Sequence, residues 1–149
     1  MTRVYLGLGS NLGDRAGNLE FARRELEAGP VTVRAASSVE ETEPVGPVAQ
    51  GDFLNQVLEV DTDLAPLDLL AAVKDIERRA GRTTAEVRWG PRVLDIDILL
   101  YGDEVLDLPG LRVPHPELLL RDFVLRELGE VAPGLVDPRT GRPLALPSR

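Results

Sequence analysis

Residues 94–102 read LDIDILLYG. Side chains alternate along an extended strand. The reading predicts Leu94, Ile96, Ile98 and Leu100 on one face, and Asp95, Asp97 and Leu99 on the other. Such a strand belongs in a sheet with one face covered by apolar packing and the other open. Two carboxylates side by side repel unless a cation stands between them. Two readings stay open from spacing alone: acids on a solvated sheet face, or ligands of a divalent cation. Oxygen ligands without His or Cys suit magnesium.

The flanking patterns supply the rest of the sheet. RVYLGLGS is an apolar run that breaks at Gly9-Ser10-Asn11, a strand leading into a turn. Asp14 is expected to cap a helix buried through Leu19, Ala22 and Leu26 and stopped by Gly29-Pro30. VTVRAASSVEET reads as one strand, EPVGPVAQGD as a loop and FLNQVLEVDTD as a further strand. In APLDLLAAVKDIERRAG, the residues Leu67, Leu70, Val73 and Ile76 keep helical spacing, with Gly81 beyond the end. After LDIDILLYG comes an irregular hairpin or loop, DEVLDLPGLRVPHP. A third helix follows over RDFVLRELGEVAP with Asp122 as its cap, and then a tail with turns at Asp137-Pro138 and Thr140-Gly141. The order β-α-β-β-α-β predicts an α+β, ferredoxin-like sandwich. Its sheet is mainly antiparallel, with helices on one face and the active site on the other. Neither a repeat nor a linker divides the chain, so one domain over 1–149 is expected.

Composition narrows the function. The net charge of −8 disfavours binding through a nucleic-acid backbone. The absence of cysteine excludes disulfides, Cys-ligated zinc and a Cys nucleophile, and one histidine excludes multi-histidine metal sites. Neither a membrane-length apolar run nor a secretory leader pattern is present. A cytoplasmic enzyme or binding module is expected, with no nucleic-acid or membrane partner.

Residues 81–93 lack periodicity, and unstructured connections of that length are often functional. They carry Arg82, Arg88 and Arg92 just ahead of the two aspartates. Guanidinium beside a metal–carboxylate site is what phosphoryl transfer uses; loop arginines are also commonly just solvated. Trp89, the only tryptophan, is a core plug or a stacking ring. His115, between Pro114 and Pro116, fits a general base, a phosphate contact or a surface residue. GLGSNLGD lacks the P-loop pattern and reads as a tight strand-to-helix turn. Phe53 and Asn55 open a strand beside the proline-rich loop and say little by themselves.

RWGPRVLDIDILLYG closely resembles the signature of the 6-hydroxymethyl-7,8-dihydropterin pyrophosphokinase family. GLGSNLGD, SSVEETEPVG, DFLNQVLEV, VPHP and RDFVL support the match nearly end to end. The resemblance implies transfer of pyrophosphate from ATP to the hydroxymethyl group of the pterin, giving AMP, in folate biosynthesis. It implies two magnesium ions held by Asp95 and Asp97, with ATP as co-substrate. Arg82 and Arg92 look like the family's catalytic arginines. Glu77, Arg88, Trp89, Ile98, His115 and Arg121 fall at nucleotide positions. Thr42, Pro44, Val45, Gly46, Phe53, Asn55, Trp89 and Phe123 match its pterin pocket, where a flat heterocycle would stack between rings. Residues 43–53 and 81–93 would be lids over the two substrates.

The chain departs from the family pattern in places. Phe53 stands where Tyr is frequent and Glu43 where Pro is frequent. Thr83-Thr84-Ala85 lacks basic residues, and Pro116 replaces an aromatic. A monomer is expected. Two other readings stand beside it: a magnesium-dependent nucleotidyltransferase, disfavoured because Ser10 and Asp95 lie 85 positions apart, and a non-catalytic ferredoxin-like binding module.

Overall fold

The structure is a computed structural model and describes residues 1–44, 49–81 and 92–144. Its sheet contains β1 (Thr2–Ser10), β2 (Thr32–Ala36), β3 (Glu40–Thr42), β4 (Phe53–Thr62) and β5 (Asp95–Tyr101). The order is β2-β4-β1-β5, with β3 also paired to β4, and every pairing is antiparallel. The helices α1 (Arg15–Ala28) and α2 (Pro66–Arg79) follow β1 and β4. This is the expected ferredoxin-like α+β arrangement.

One expected strand is two. Residues 31–42 break at Ser37, whose backbone N–H donates to the carbonyl of Val57 at 2.9 Å. The Ser37 hydroxyl accepts the N–H of Val57 at 2.9 Å, and its carbonyl accepts from Gln56 Nε2 at 2.8 Å. The serine side chain thus takes a ladder position, and β2 and β3 pair with β4 on either side of it. This competition between a hydroxyl and regular pairing left no mark in the β-branched pattern.

Val4, Leu6 and Leu8 of β1, Leu58 and Val60 of β4, and Ile96 and Ile98 of β5 pack under α1 and α2. Asp14 caps α1, accepting the N–H of Gly17 at 3.0 Å, and Leu19, Ala22 and Leu26 are buried as expected. In α2 the buried residues are Leu69, Val73, Ile76 and Glu77, while Leu67 is exposed. The apolar stripe starts two residues later than the spacing suggested, because Pro66 opens the helix and Leu67 lies in its outward first turn.

The far face of the sheet is half covered. β6 (Leu106–Leu108) and β7 (Leu111–Val113) form a small hairpin, followed by a 3-10 turn at Leu118–Leu120 and α3 (Asp122–Val131). Val124, Leu125 and Leu128 of α3 pack on Tyr5, Val57, Leu99 and Leu100. Arg121 occupies the cap position of α3, and Asp122 lies in its first turn rather than capping it.

The placement of Leu100 corrects the simple alternation. Tyr5 pairs with Leu100 but Leu6 pairs with Ile98, so β5 carries one extra residue there. This bulge reverses parity. Leu100 turns to the α3 side, while Tyr101 joins the core under α1 and α2. Ahead of the bulge, Asp95 and Asp97 keep the predicted open face. Leu99, expected beside them, is buried under α3.

Candidate active site

Asp97 stands opposite Gly7 and Asp95 opposite Gly9 across the β1–β5 pairing. Glycine on the open face leaves the strand backbone bare beside each carboxylate. A methyl group at Gly9 would sit 3.4 Å from Asn55 Oδ1 and 3.5 Å from Phe53 Cδ1. The aspartates, the glycine floor and the amide–ring wall therefore adjoin. All of them line one cleft of about 760 Å³.

The wall on the β4 side is built from paired strands. Asn55 is 9% exposed and sits opposite Gly9 on one side and Glu40 on the other. Its Nδ2 donates to Thr42 Oγ1 at 2.5 Å. Phe53 pairs with Thr42, and α3 brings Phe123 to the same cleft. Thr42, Phe53, Asn55 and Phe123 thus line one cleft. Pro44 lies outside the cleft wall. Val45 and Gly46 lie outside the described residues.

β5 is the last strand of the sheet, and the cleft turns around it toward α2 and the hairpin. Glu77 and Ile98 are there, with Arg92, His115 and Arg121. Glu77 is 5% exposed, and its Oε2 accepts the backbone N–H of Ile96 at 2.7 Å. A residue expected to face the nucleotide therefore also holds the strand between the two aspartates. Arg121 pairs with Glu117 one turn of chain away. Arg82, Arg88 and Trp89 fall outside the described residues.

His115 is held by its surroundings. Its backbone N–H donates to Leu99 O at 3.0 Å, and its Nδ1 accepts from Glu117 N–H at 3.1 Å. With Nδ1 accepting, the neutral ring carries its hydrogen on Nε2. Nε2 lies 3.8 Å from Asp97 Oδ1. Of the roles open to it in sequence, this geometry favours a donor facing the acidic pair over a base.

The donor set suits a hard divalent ion. Asp95 and Asp97 offer oxygen only, and the Asp97 side chain is 40% exposed on an uncrowded face. Among the described residues there is no cluster of three acidic, His or Cys ligands. That fits magnesium, which takes one or two carboxylates and completes its shell with water and phosphate.

Sequence reading missed several cleft residues. Leu70 and Lys74 of α2, with Asp107, Leu111 and Arg112 of the hairpin, line the lobe around β5. Lys74 could have been noticed as the only lysine, one turn before Glu77 on the same helix face. Asn11 was read only as part of a turn. It is 8% exposed and donates through Nδ2 to Gln50 Oε1 at 2.7 Å and Gly51 O at 2.9 Å. Glu127, buried at the back of the cleft, was also missed.

Fold and cleft define an α+β ferredoxin-like enzyme domain with an acidic pair where two lobes meet. The family model for 7,8-dihydro-6-hydroxymethylpterin-pyrophosphokinase matches residues 5–133. A 2-amino-4-hydroxy-6-hydroxymethyldihydropteridine pyrophosphokinase of Pseudomonas aeruginosa is 47% identical over 134 residues, covering 89% of this chain and 82% of the relative. The enzyme of that name from Aquifex aeolicus is 44% identical over 144 residues, covering 97% and 89%. The chain belongs to this pyrophosphokinase family, and its activity is the family's pyrophosphoryl transfer to hydroxymethyldihydropterin in folate biosynthesis. Among solved structures, wild-type Plasmodium falciparum HPPK-DHPS with SDX-DHP superposes with a TM-score of 0.70 at 16% identity. It covers 97% of this chain, which spans 42% of that longer protein, and shows the fold.

Proposed function

We propose that the two lobes bind the two substrates and that the acidic pair stands where they react. The pterin lies on the open face against Gly9, Asn55, Phe53 and Phe123. ATP lies around β5, between α2 and the hairpin. The observation that carries this reading is the position of Asp95 and Asp97 opposite Gly9 and Gly7, in one cleft with both lobes.

In the reaction the pterin hydroxyl oxygen attacks the β-phosphorus of ATP. The bond from that phosphorus to the α–β bridging oxygen breaks, AMP leaves, and the hydroxyl proton passes to solvent or phosphate. Magnesium, two ions in this reading, would be held by Asp95 and Asp97 and would neutralise phosphate charge and acidify the hydroxyl. Asn55 reads the donor–acceptor edge of the heterocycle, and the rings of Phe53 and Phe123 hold its plane. Fixing both reactants in one line supplies much of the rate.

His115 donates from Nε2 toward the phosphates, and Arg121 adds positive charge. Arg92 stabilises the transferred group. Arg82, Arg88 and Trp89, with Pro44, Val45 and Gly46 on the pterin side, take the roles that their motif positions imply. Glu77 and Ile98 bound the nucleotide side.

The protein in this reading is a cytoplasmic monomer of one domain, 1–149, with no nucleic-acid or membrane partner. Among the described residues no helix is long and apolar enough to cross a membrane, and the acidic net charge of −8 opposes nucleic-acid binding.

A product assay tests the reading. AMP and pterin pyrophosphate are expected in equal amounts. Inorganic pyrophosphate as the product would favour the nucleotidyltransferase alternative. Calorimetry with a non-hydrolysable ATP analogue should show binding that strengthens sharply with magnesium, and loses that gain in Asp97→Ala.

A further inference from the structure

Glu127 is the most buried acid in the described protein, at 1% exposure. Its Oε2 has no hydrogen-bond partner among the described residues. Burying a polar atom unpaired costs stability, so such a group signals a role other than packing. Glu127 lies one helical turn after Phe123, and both line the cleft.

The adjoining face of α3 is tied to β3 and to the residues just before it. Arg126 donates to Glu40 Oε2 at 3.0 Å, and Ser38 donates to Glu130 through its backbone N–H at 3.2 Å and its hydroxyl at 2.9 Å. β3 carries Thr42, the partner of Asn55. Glu127 thus sits within the joint between the strand and the helix that bear the pterin wall.

We propose that Glu127 is a positioning residue for the pterin pocket: it seats α3, and with it Phe123, against β3 and β4. The inference rests on the pterin reading of this lobe.

The charged groups acting on Glu127 are Glu40 from β3 and Arg126 and Glu130 from its own helix; β4 contributes none. Arg126, the only cation there among the described residues, is already paired with Glu40. Burial first, and then Glu40 and Glu130, push the Glu127 carboxyl up to about 9. The acid is therefore neutral at pH 7. Ionised, it would face two carboxylates with no free cation, and the seating of α3 would loosen.

The experiment is calorimetric binding of hydroxymethylpterin to the whole protein, with the magnesium–nucleotide analogue present, at pH 7 and pH 9.5. Wild type, Glu127→Gln and Glu127→Asp are compared. The pterin's own ionisation is common to all three. The wild type is expected to lose about fourfold more affinity than Glu127→Gln between the two pH values. Glu127→Gln should match the wild type within about twofold at pH 7, and Glu127→Asp should keep the alkaline loss. Nucleotide affinity should be the same in all three. An alkaline loss in Glu127→Gln equal to that of the wild type overturns the inference. A wild type that binds no pterin but still releases AMP onto another acceptor overturns the pterin reading itself, and with it this inference.

Discussion

Asn11 and Arg92 hold each other in both directions. The backbone N–H of Asn11 donates to the carbonyl of Arg92 at 3.0 Å, and the N–H of Arg92 donates to Asn11 Oδ1 at 2.7 Å. The Asn11 amide also anchors Gln50 and Gly51. One buried side chain therefore joins the end of β1 to the segments entering β4 and β5. Asn11→Ala leaves the N–H of Arg92 and the carbonyl of Gly51 without these partners. A loss of about 2–3 kcal/mol in stability is expected, with kcat reduced at least tenfold as Arg92 shifts. Urea denaturation and steady-state kinetics measure the two. Wild-type turnover in a destabilised variant would separate Asn11 from the placement of Arg92.

Asp97→Asn removes charge without removing shape. The side chain is 40% exposed on the open face, with His115 Nε2 at 3.8 Å, so the fold should be unaffected. Turnover is expected to fall roughly a thousandfold, or about 4 kcal/mol, on loss of a metal ligand. Unchanged turnover at saturating magnesium would exclude Asp97 as a ligand.

Thr42→Val deletes the acceptor for Asn55 Nδ2. The amide is then free to turn away from the orientation that reads the heterocycle. The pterin KM should rise about tenfold, matching about 1–2 kcal/mol for a lost buried partner. The KM for ATP should stay within twofold. An equal change in both would mean that the wall acts on the whole cleft.

Glu127 also links stability to pH. Its folded carboxyl binds a proton up to about 9, while an unfolded glutamate releases it near 4.5. Between those values the folded protein holds more protons than the unfolded one, so stability falls as pH rises. Glu127→Leu should therefore gain on the wild type in urea midpoint progressively from pH 5 to pH 9. A gap that stays constant over that range would indicate an ordinary carboxyl.

The legible parts of this chain were those governed by local periodicity. The α1 cap at Asp14, the core stripe Leu19–Ala22–Leu26 and the open face of Asp95 and Asp97 follow from spacing alone. The split strand and the parity error come from long-range pairing. Ser37 interrupts a strand through its bonds to Val57 and Gln56, and the β5 bulge at Leu99–Leu100 exists only relative to β1. The site divides in the same way. Spacing singled out Asp95, and the family resemblance alone singled out Asn55 and Phe123. The hub at Asn11 and the buried Glu127 act through residues dozens of positions away, and no local pattern reports such partners.

β5 is the outermost strand of the sheet, and among the described residues no other strand pairs its outer edge. Glu77 takes the Ile96 N–H and His115 donates to the Leu99 carbonyl, but an edge that lacks a partner strand is still a template on which a second chain can add, the first step toward aggregation. Here that edge starts with two carboxylates, and a second copy of the strand laid beside it would bring four negative charges together. The acids proposed to hold the phosphate chain thus also discourage self-association whenever the cleft is empty.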